Sequence, residues 1–349
     1  MLFNSLSFIL FLPLAFGVYW SLSNKLKQQN VWLLIISYVF YGWWDWRFLG
    51  LIFASTLVDY SIGMNLESTD KKGVRKTLLI LSLVFNLGLL VVFKYYNFFI
   101  GSFNDLFSIV NIDSHFNTLS IILPVGISFY TFQTLSYSID VYNKKLEPTS
   151  NFIEFAGYVS FFPQLVAGPI ERARNLLPQF QKARRFDGYK SVLGLRQILW
   201  GLFKKVVIAD NLSVIVDDVY LNHPEMGPYA IMVGFICFSF QIYCDFSGYS
   251  DIAIGTARLF GFDLMKNFNF PYFAKSITDF WRRWHISLTT WFRDYIYFPL
   301  GGSKISSFVT VRNTIIVFLI SGFWHGANWT YIFWGGLNAL FFLPGLLYP

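Results

Sequence analysis

Long apolar runs, separated by short basic, aromatic or glycine-rich breaks, recur along the whole 349-residue chain. A helix needs roughly 20 mostly apolar residues to cross the hydrocarbon core of a bilayer. Runs near that length predict spans over Leu2–Trp20, over Val31–Gly50 followed closely by Leu51–Ile62, and over Leu78–Phe93, Ile231–Phe246, Val309–Phe323 and Trp329–Leu347. The stretches Ile121–Val141, Phe152–Ile170, Leu193–Ile208 and Trp281–Leu300 carry proline, charge or clustered glycine, and need not cross. The expected fold is all-α: a polytopic transmembrane helical bundle, residues 1–349 forming a single membrane domain, with re-entrant or interfacial helices around a central tunnel. The first run lacks a basic flank before it and an A-x-A site after it, so it reads as a retained span and not a signal peptide. No internal repeat and no soluble domain stands out.

Composition removes the soluble alternatives. Hydrophobic residues make up 55% of the chain and charged residues only 13%, about half of the ~25% usual in a soluble domain. The lipid bilayer is therefore the first expected partner. The net charge is +7, but the basic residues punctuate apolar runs and build no basic face, so no nucleic acid is expected. Lys25 and Lys27, and then Lys71, Lys72, Arg75 and Lys76, mark cytoplasmic loops, whereas the turn at Asp45 and Arg47 is neutral. This alternation puts the N-terminus, and the stretch from Lys94 to Ser120, outside. It breaks afterwards, because Lys144–Lys145 and the Arg172–Lys190 segment are both basic. Phe152–Ile170 between them holds Glu154, Pro163, Gly168 and Pro169, and reads as re-entrant or interfacial. Irregular backbone at membrane depth survives only inside protein or against a watery cavity, so a cavity is expected.

Ionisable groups at membrane depth point to function. His115 and His223 sit in polar loops and read as solvated. His325 stands among aromatic residues and glycines in Ser321-Gly-Phe-Trp324-His325-Gly-Ala-Asn328-Trp329, with Arg312 the nearest full charge in sequence. It suits proton transfer near neutral pH, or it bridges two helices, with Gly322-x-x-x-Gly326 as a packing motif. His285 lies in Asp279-Phe-Trp281-Arg282-Arg283-Trp284-His285; on a helix it would share a face with Trp281, as Arg282 would with Asp279. That block also fits an interfacial anchor, or arginines that hold an anionic donor or a lipid phosphate. Gln241 to Asp251, with Asp245, Ser247 and Tyr249, fits either a polar tunnel wall or the satisfied end of a helix, and Lys204 and Lys205 are expected to snorkel. Cys237 and Cys244 would lie about 10 Å apart on a helix, beyond disulfide reach, and no metal site is expected. There is no nucleophile elbow, zinc helix or phosphate loop, so a covalent serine or cysteine enzyme is unsupported.

Several blocks make the chain recognisable: Met1-Leu-Phe-Asn-Ser-Leu-Ser-Phe8, Tyr41-Gly-Trp-Trp44, Ile122-Leu-Pro-Val-Gly-Ile-Ser-Phe-Tyr130, Phe161-Phe-Pro-Gln-Leu-Val-Ala-Gly-Pro169, Gly201-Leu-Phe-Lys-Lys-Val-Val-Ile-Ala-Asp210, Asp245-Phe-Ser-Gly-Tyr-Ser-Asp251 and Trp281-Arg-Arg-Trp-His-Ile-Ser-Leu288. In this order they resemble the membrane-bound O-acyltransferase (MBOAT) family, in its bacterial, alginate O-acetylation-like branch. The resemblance implies that His325 is the family's near-invariant histidine and His285 its second position. Trp281, Arg282, Arg283 and Trp284 would support His285, and Asp245, Ser247, Tyr249, Trp324 and Asn328 would line the substrate path. It also implies no bound cofactor and an acyl thioester donor, acetyl-CoA, arriving from the cytoplasm. A polysaccharide acceptor and a periplasmic acetyltransferase partner would stand outside, and the protein would sit in a bacterial inner membrane. Family members continue for several helices past the last histidine block, which this chain is expected to lack. Rival readings are carrier-protein-dependent D-alanyl transfer to teichoic acid and a polysaccharide or lipid transporter; a transporter would be expected to show repeat symmetry, which is not seen.

Overall fold

A computed structural model describes the chain except residues 113–115, 167 and 348–349 and the side chain of residue 347. His115 lies outside the described residues; His223 is exposed, as expected. The described residues form helices and no strand, so the all-α expectation is borne out. Helix α1 spans Leu6–Ser21, α2 Leu26–Gly42 and α3 Leu49–Glu67. One helical run, Lys72–Ile109, then comprises α4 (Lys72–Leu90), a wider π-helical turn at Val91–Tyr95, and α5 (Tyr96–Ile109). Next come α6 (Ile127–Tyr142), α7 (Phe152–Ser160), α8 (Phe162–Leu165), α9 (Ala173–Gln181) and α10 (Gly188–Leu202). After a second π-helical turn at Phe203–Ala209 follow α11 (Asp210–Asn222) and α12 (Pro228–Leu259). The chain closes with α13 (Ile277–Arg283), α14 (Ile286–Phe292), α15 (Ser307–His325) and α16 (Trp329–Leu347).

Among the described residues, four helical runs are long and apolar enough to cross a membrane: Trp46–Glu67, Lys72–Ile109, Pro228–Leu259 and Ser307–His325. The expected span Val31–Gly50 is instead broken after Gly42, because the Asp45 side chain accepts from the backbone N–H of Arg47 at 3.0 Å and starts a new helical turn. The expected span Leu78–Phe93 is the middle of a 38-residue run, about 57 Å long at 1.5 Å per residue. Phe152–Ile170 is broken at Phe161 into two pieces, and the longer has nine residues, too short to cross as a helix.

The chain divides into two compact units interleaved in sequence: Met1–Thr56 with Thr149–Asn267, and Leu57–Pro148 with Phe268–Pro349. In the first, α10 and α12 touch backbone to backbone. A Cβ on Gly201 would stand 2.6 Å from the Gly248 carbonyl, and one on Gly255 2.5 Å from that of Gly194. Beside this seam the lysines of the second π-turn do not snorkel as expected. Lys204 is buried, donates to Ser247 Oγ at 2.9 Å and pairs with Asp251. Lys205 sits between Asp210 at 2.7 Å and Asp245 at 2.6 Å. Carboxylates within reach satisfy a sequestered ammonium at once, which removes the reason to extend toward the interface. The Gln241–Asp251 segment is thus neither a helix end nor free; it lies inside α12.

In the second unit, the fully buried Asp59 of α3 accepts from Asn86 Nδ2 at 2.7 Å and Ser138 Oγ at 2.8 Å, and also from Ser82 Oγ. This ties α3, α4 and α6 together at one point. Arg75, assigned by sequence to a basic loop, is buried near the start of α4. Its Nη2 donates to the carbonyls of Val141 (3.2 Å) and Tyr142 (2.8 Å), and its Nη1 to those of Leu66 and Thr69. A cation there meets the electron-rich C-terminal ends of α3 and α6.

Candidate active site

The second unit holds both singled-out histidines. His325 is the last residue of α15, and extended Gly326 (φ −157°) ends the helix. Two glycines let α15 approach α16 closely. A Cβ on Gly322 would lie 2.2 Å from the Tyr331 carbonyl oxygen, and one on Gly335 2.4 Å from that of Phe318. Of the Gly322-x-x-x-Gly326 pair, then, Gly322 packs helix on helix, whereas Gly326 leaves the helix under the ring of Tyr331. Gly322→Ala is expected to lower the thermal midpoint of the purified protein, since overpacking costs about 1–3 kcal/mol. Gly336→Ala is its control, with a Cβ no nearer than 3.8 Å to Leu319; equal midpoints for the two would contradict the seam.

His285 does not continue the helix of Trp281 as the sequence suggested. Helix α13 ends at Arg283, and His285 itself takes the left-handed conformation (φ 43°, ψ 53°) before α14 begins. A non-glycine residue held there is strained by about 1–3 kcal/mol, and such strain clusters at functional sites. The break turns the chain so that Trp281, Arg282, Trp284 and His285 all face one cavity. Arg283 goes elsewhere, pairing with Asp279 at 2.9 Å, the role the sequence pattern offered to Arg282. That guanidinium holds the Asp279 carboxyl below its usual range, with the Lys275 backbone N–H adding to the effect.

The cavity encloses about 490 Å³, and its wall carries His285 and His325 together with Thr278, Ser321 and Phe318. The two imidazole centroids are 6.5 Å apart. His285 is 2% exposed, whereas His325 is exposed. Burial, and then the nearby His325, hold the His285 imidazole well below the usual histidine range, which favours its neutral form. Trp334 stands edge-on to His325 at 5.4 Å. Trp324 is buried behind the site, stacked at 5.4 Å on Phe132, which stacks at 4.1 Å on Trp291. Asn328 caps α16, accepting from the Thr330 backbone N–H at 2.9 Å, and is not among the cavity residues. Asp245, Ser247 and Tyr249 belong to the first unit. Among the described residues no group of three or more His, Cys, Asp or Glu is placed to hold a metal.

Lys94 is a site residue the sequence reading passed over. It lies in the π-helical turn at Val91–Tyr95, inside the long run and not at an outer end. Its ammonium donates to the Trp324 carbonyl and to Ser128 Oγ at 3.3 Å, and rests 5.4 Å from the Trp324 ring. The neighbouring Tyr95 stacks on Phe323 at 4.2 Å and donates to its carbonyl at 3.1 Å. The two residues before His325 are therefore gripped by one π-turn, and Lys94, not Arg312, brings the nearby positive charge. A lone lysine in an apolar run was the available signal.

The helices of the described residues, their apolar spans and two histidines on one cavity are those of a polytopic membrane protein. Residues 33–348 match the membrane-bound O-acyltransferase family, and the chain belongs to it. The chain is 44% identical to a probable alginate O-acetylase of Azotobacter vinelandii, over 97% of this chain and 67% of that protein. It is 39% identical to a peptidoglycan O-acetyltransferase of Helicobacter pylori, over 97% and 69%. A teichoic acid D-alanyltransferase of Bacillus subtilis is 32% identical, over 62% and 57%. The chain spans about two thirds of the length of the first two. The expected class, an O-acyltransferase of the membrane, is borne out by the family and by the relatives' names.

Proposed function

We propose that this protein moves an acetyl group from a cytoplasmic thioester, acetyl-CoA, toward hydroxyls of a polysaccharide or cell-wall glycan outside a bacterial inner membrane. The observation that carries the reading is the pair of imidazoles 6.5 Å apart on one cavity wall. His325 takes the proton as the acceptor oxygen attacks the thioester carbonyl; the carbon–sulfur bond breaks, and the departing thiolate receives a proton. His285 orients the acceptor or shares that proton. Holding both reactants in attack geometry lowers the barrier further. The acceptor is either the glycan or a periplasmic acetyltransferase that relays the group, reached through a tunnel open to both faces. The exposed lysines Lys25 and Lys27, and then Lys71, Lys72 and Lys76, support an N-terminus outside the cell membrane.

The test compares O-acetyl ester in secreted and cell-wall glycan between cells with and without the protein. Acetyl ester present only with the protein is expected; equal content would sink the reading. The likeness to the Bacillus D-alanyltransferase favours a second reading, D-alanyl transfer to teichoic acid. Ester-linked D-alanine that follows the protein would select it.

A further inference from the structure

The first unit contains a second cavity, of about 570 Å³, unlike the histidine site in charge and setting. Lys182, Arg184, Arg185, Lys190 and Arg258 line it, against the single carboxylate of Asp187. That carboxylate is engaged, accepting from the Lys190 backbone N–H at 3.0 Å as the cap of α10. Lys190 pairs at 3.4 Å with Asp263, and Arg258 donates to Gln197 at 2.6 Å. Lys182 and Arg185 are exposed and make no ion pair among the described residues.

Arg184 adds a buried positive charge beneath them. It is 7% exposed, yet no carboxylate lies within ion-pairing distance of it among the described residues. Its Nη1 donates to the Gln179 carbonyl at 3.0 Å and its Nη2 to Asn30 Oδ1 at 2.5 Å, while Nε has no hydrogen-bond partner. The rings of Phe262 (4.9 Å) and Tyr19 (5.8 Å) flank the guanidinium; they provide a quadrupole but no counter-charge. Glu154 acts on this guanidinium only at longer range, and a buried cation with no anion in contact is costly, so the site favours a negative partner. Its rim carries residue types found at membrane surfaces. Trp20, at the end of the apolar α1, lines it, and Phe186 (57% exposed) packs at 5.3 Å on that indole. Exposed aromatics beside exposed lysine and arginine mark the headgroup level.

We propose that this cavity binds a phosphate group at the membrane surface, with Lys182 and Arg185 making the direct contacts and Arg184 supplying the buried charge beneath. The phosphate comes from an anionic phospholipid headgroup or from a soluble phosphorylated molecule, and the experiment separates the two. Purified protein in neutral detergent is titrated calorimetrically with short-chain phosphatidylglycerol, with inorganic pyrophosphate, and with phosphatidylcholine as the zwitterionic control. The protein, the double variant Lys182→Gln/Arg185→Gln, and Lys71→Gln/Lys72→Gln with equal charge removed elsewhere are compared. Lys182 and Arg185 are exposed, so their replacement leaves the fold intact, which an unchanged thermal midpoint verifies. Charge-assisted hydrogen bonds contribute about 1.5–3 kcal/mol each, so at least ~10-fold weaker binding is expected in the first variant and none in the second. Binding of phosphatidylglycerol alone identifies the lipid as the source; binding of pyrophosphate identifies a soluble phosphate. No binding of either, or equal weakening in both variants, overturns the proposal.

Discussion

His325→Ala at matched membrane abundance is expected to lower transfer to the acceptor hydroxyl by about 10²–10⁴-fold, the usual contribution of a positioned general base. That corresponds to about 3–5 kcal/mol of barrier. Several features focus the effect on this residue. The side chain opens onto the cavity that His285 also lines, and the backbone before it is fixed by Lys94 and Tyr95. Replacement by alanine leaves Gly322 and Gly335 in contact, so the fold is expected to persist. The measurement is the initial rate of label transfer from acetyl-CoA in membranes, with protein quantified by immunoblot. A rate within about a factor of two of wild type, far from the ~10²-fold loss expected, would remove His325 from the chemistry and leave it the helix-bridging role.

Arg75→Met is expected to destabilise the protein by about 3 kcal/mol or more, with little change for Lys76→Met one residue on. Hydrogen bonds to a charged group contribute about 1.5–3 kcal/mol each, though not additively. Arg75 donates to four carbonyls at the ends of α3 and α6, and methionine retains the stem but none of the donors. Lys76 is exposed. Thermal unfolding in detergent separates the two variants. Equal midpoints would show that the buried guanidinium contributes nothing net, its desolvation cancelling its bonds.

Much of the site was legible because membrane chemistry is restrictive. Few side chains are tolerated beside apolar spans, so His285 and His325 stood out, and both line one cavity. The path residues fared unevenly. Trp281, Arg282 and Trp284 face that cavity, whereas Asp245 and Ser247 are engaged with lysines of the other unit. Residue type could not separate these cases, because a carboxylate on an apolar helix looks the same whether it awaits a substrate or already holds a lysine.

The sequence by itself determined the solvent and the all-helical class of the fold. A hydrocarbon core requires long apolar helices that satisfy their own backbone bonds, and that demand is written in runs of local composition. It also determined the family, carried by contiguous blocks. Tertiary structure alone decided what each charge is for. Arg75 and Lys76 are neighbours in one basic loop by sequence, yet one clamps two helix ends and the other is solvated. Lys94 meets the carbonyl of Trp324, 230 positions away. The left-handed turn at His285 likewise breaks a segment whose pattern reads as continuous helix. The reason is physical: the free energy of a charge or a strained residue depends on partners brought together by folding, and no local pattern encodes a partner that far along the chain.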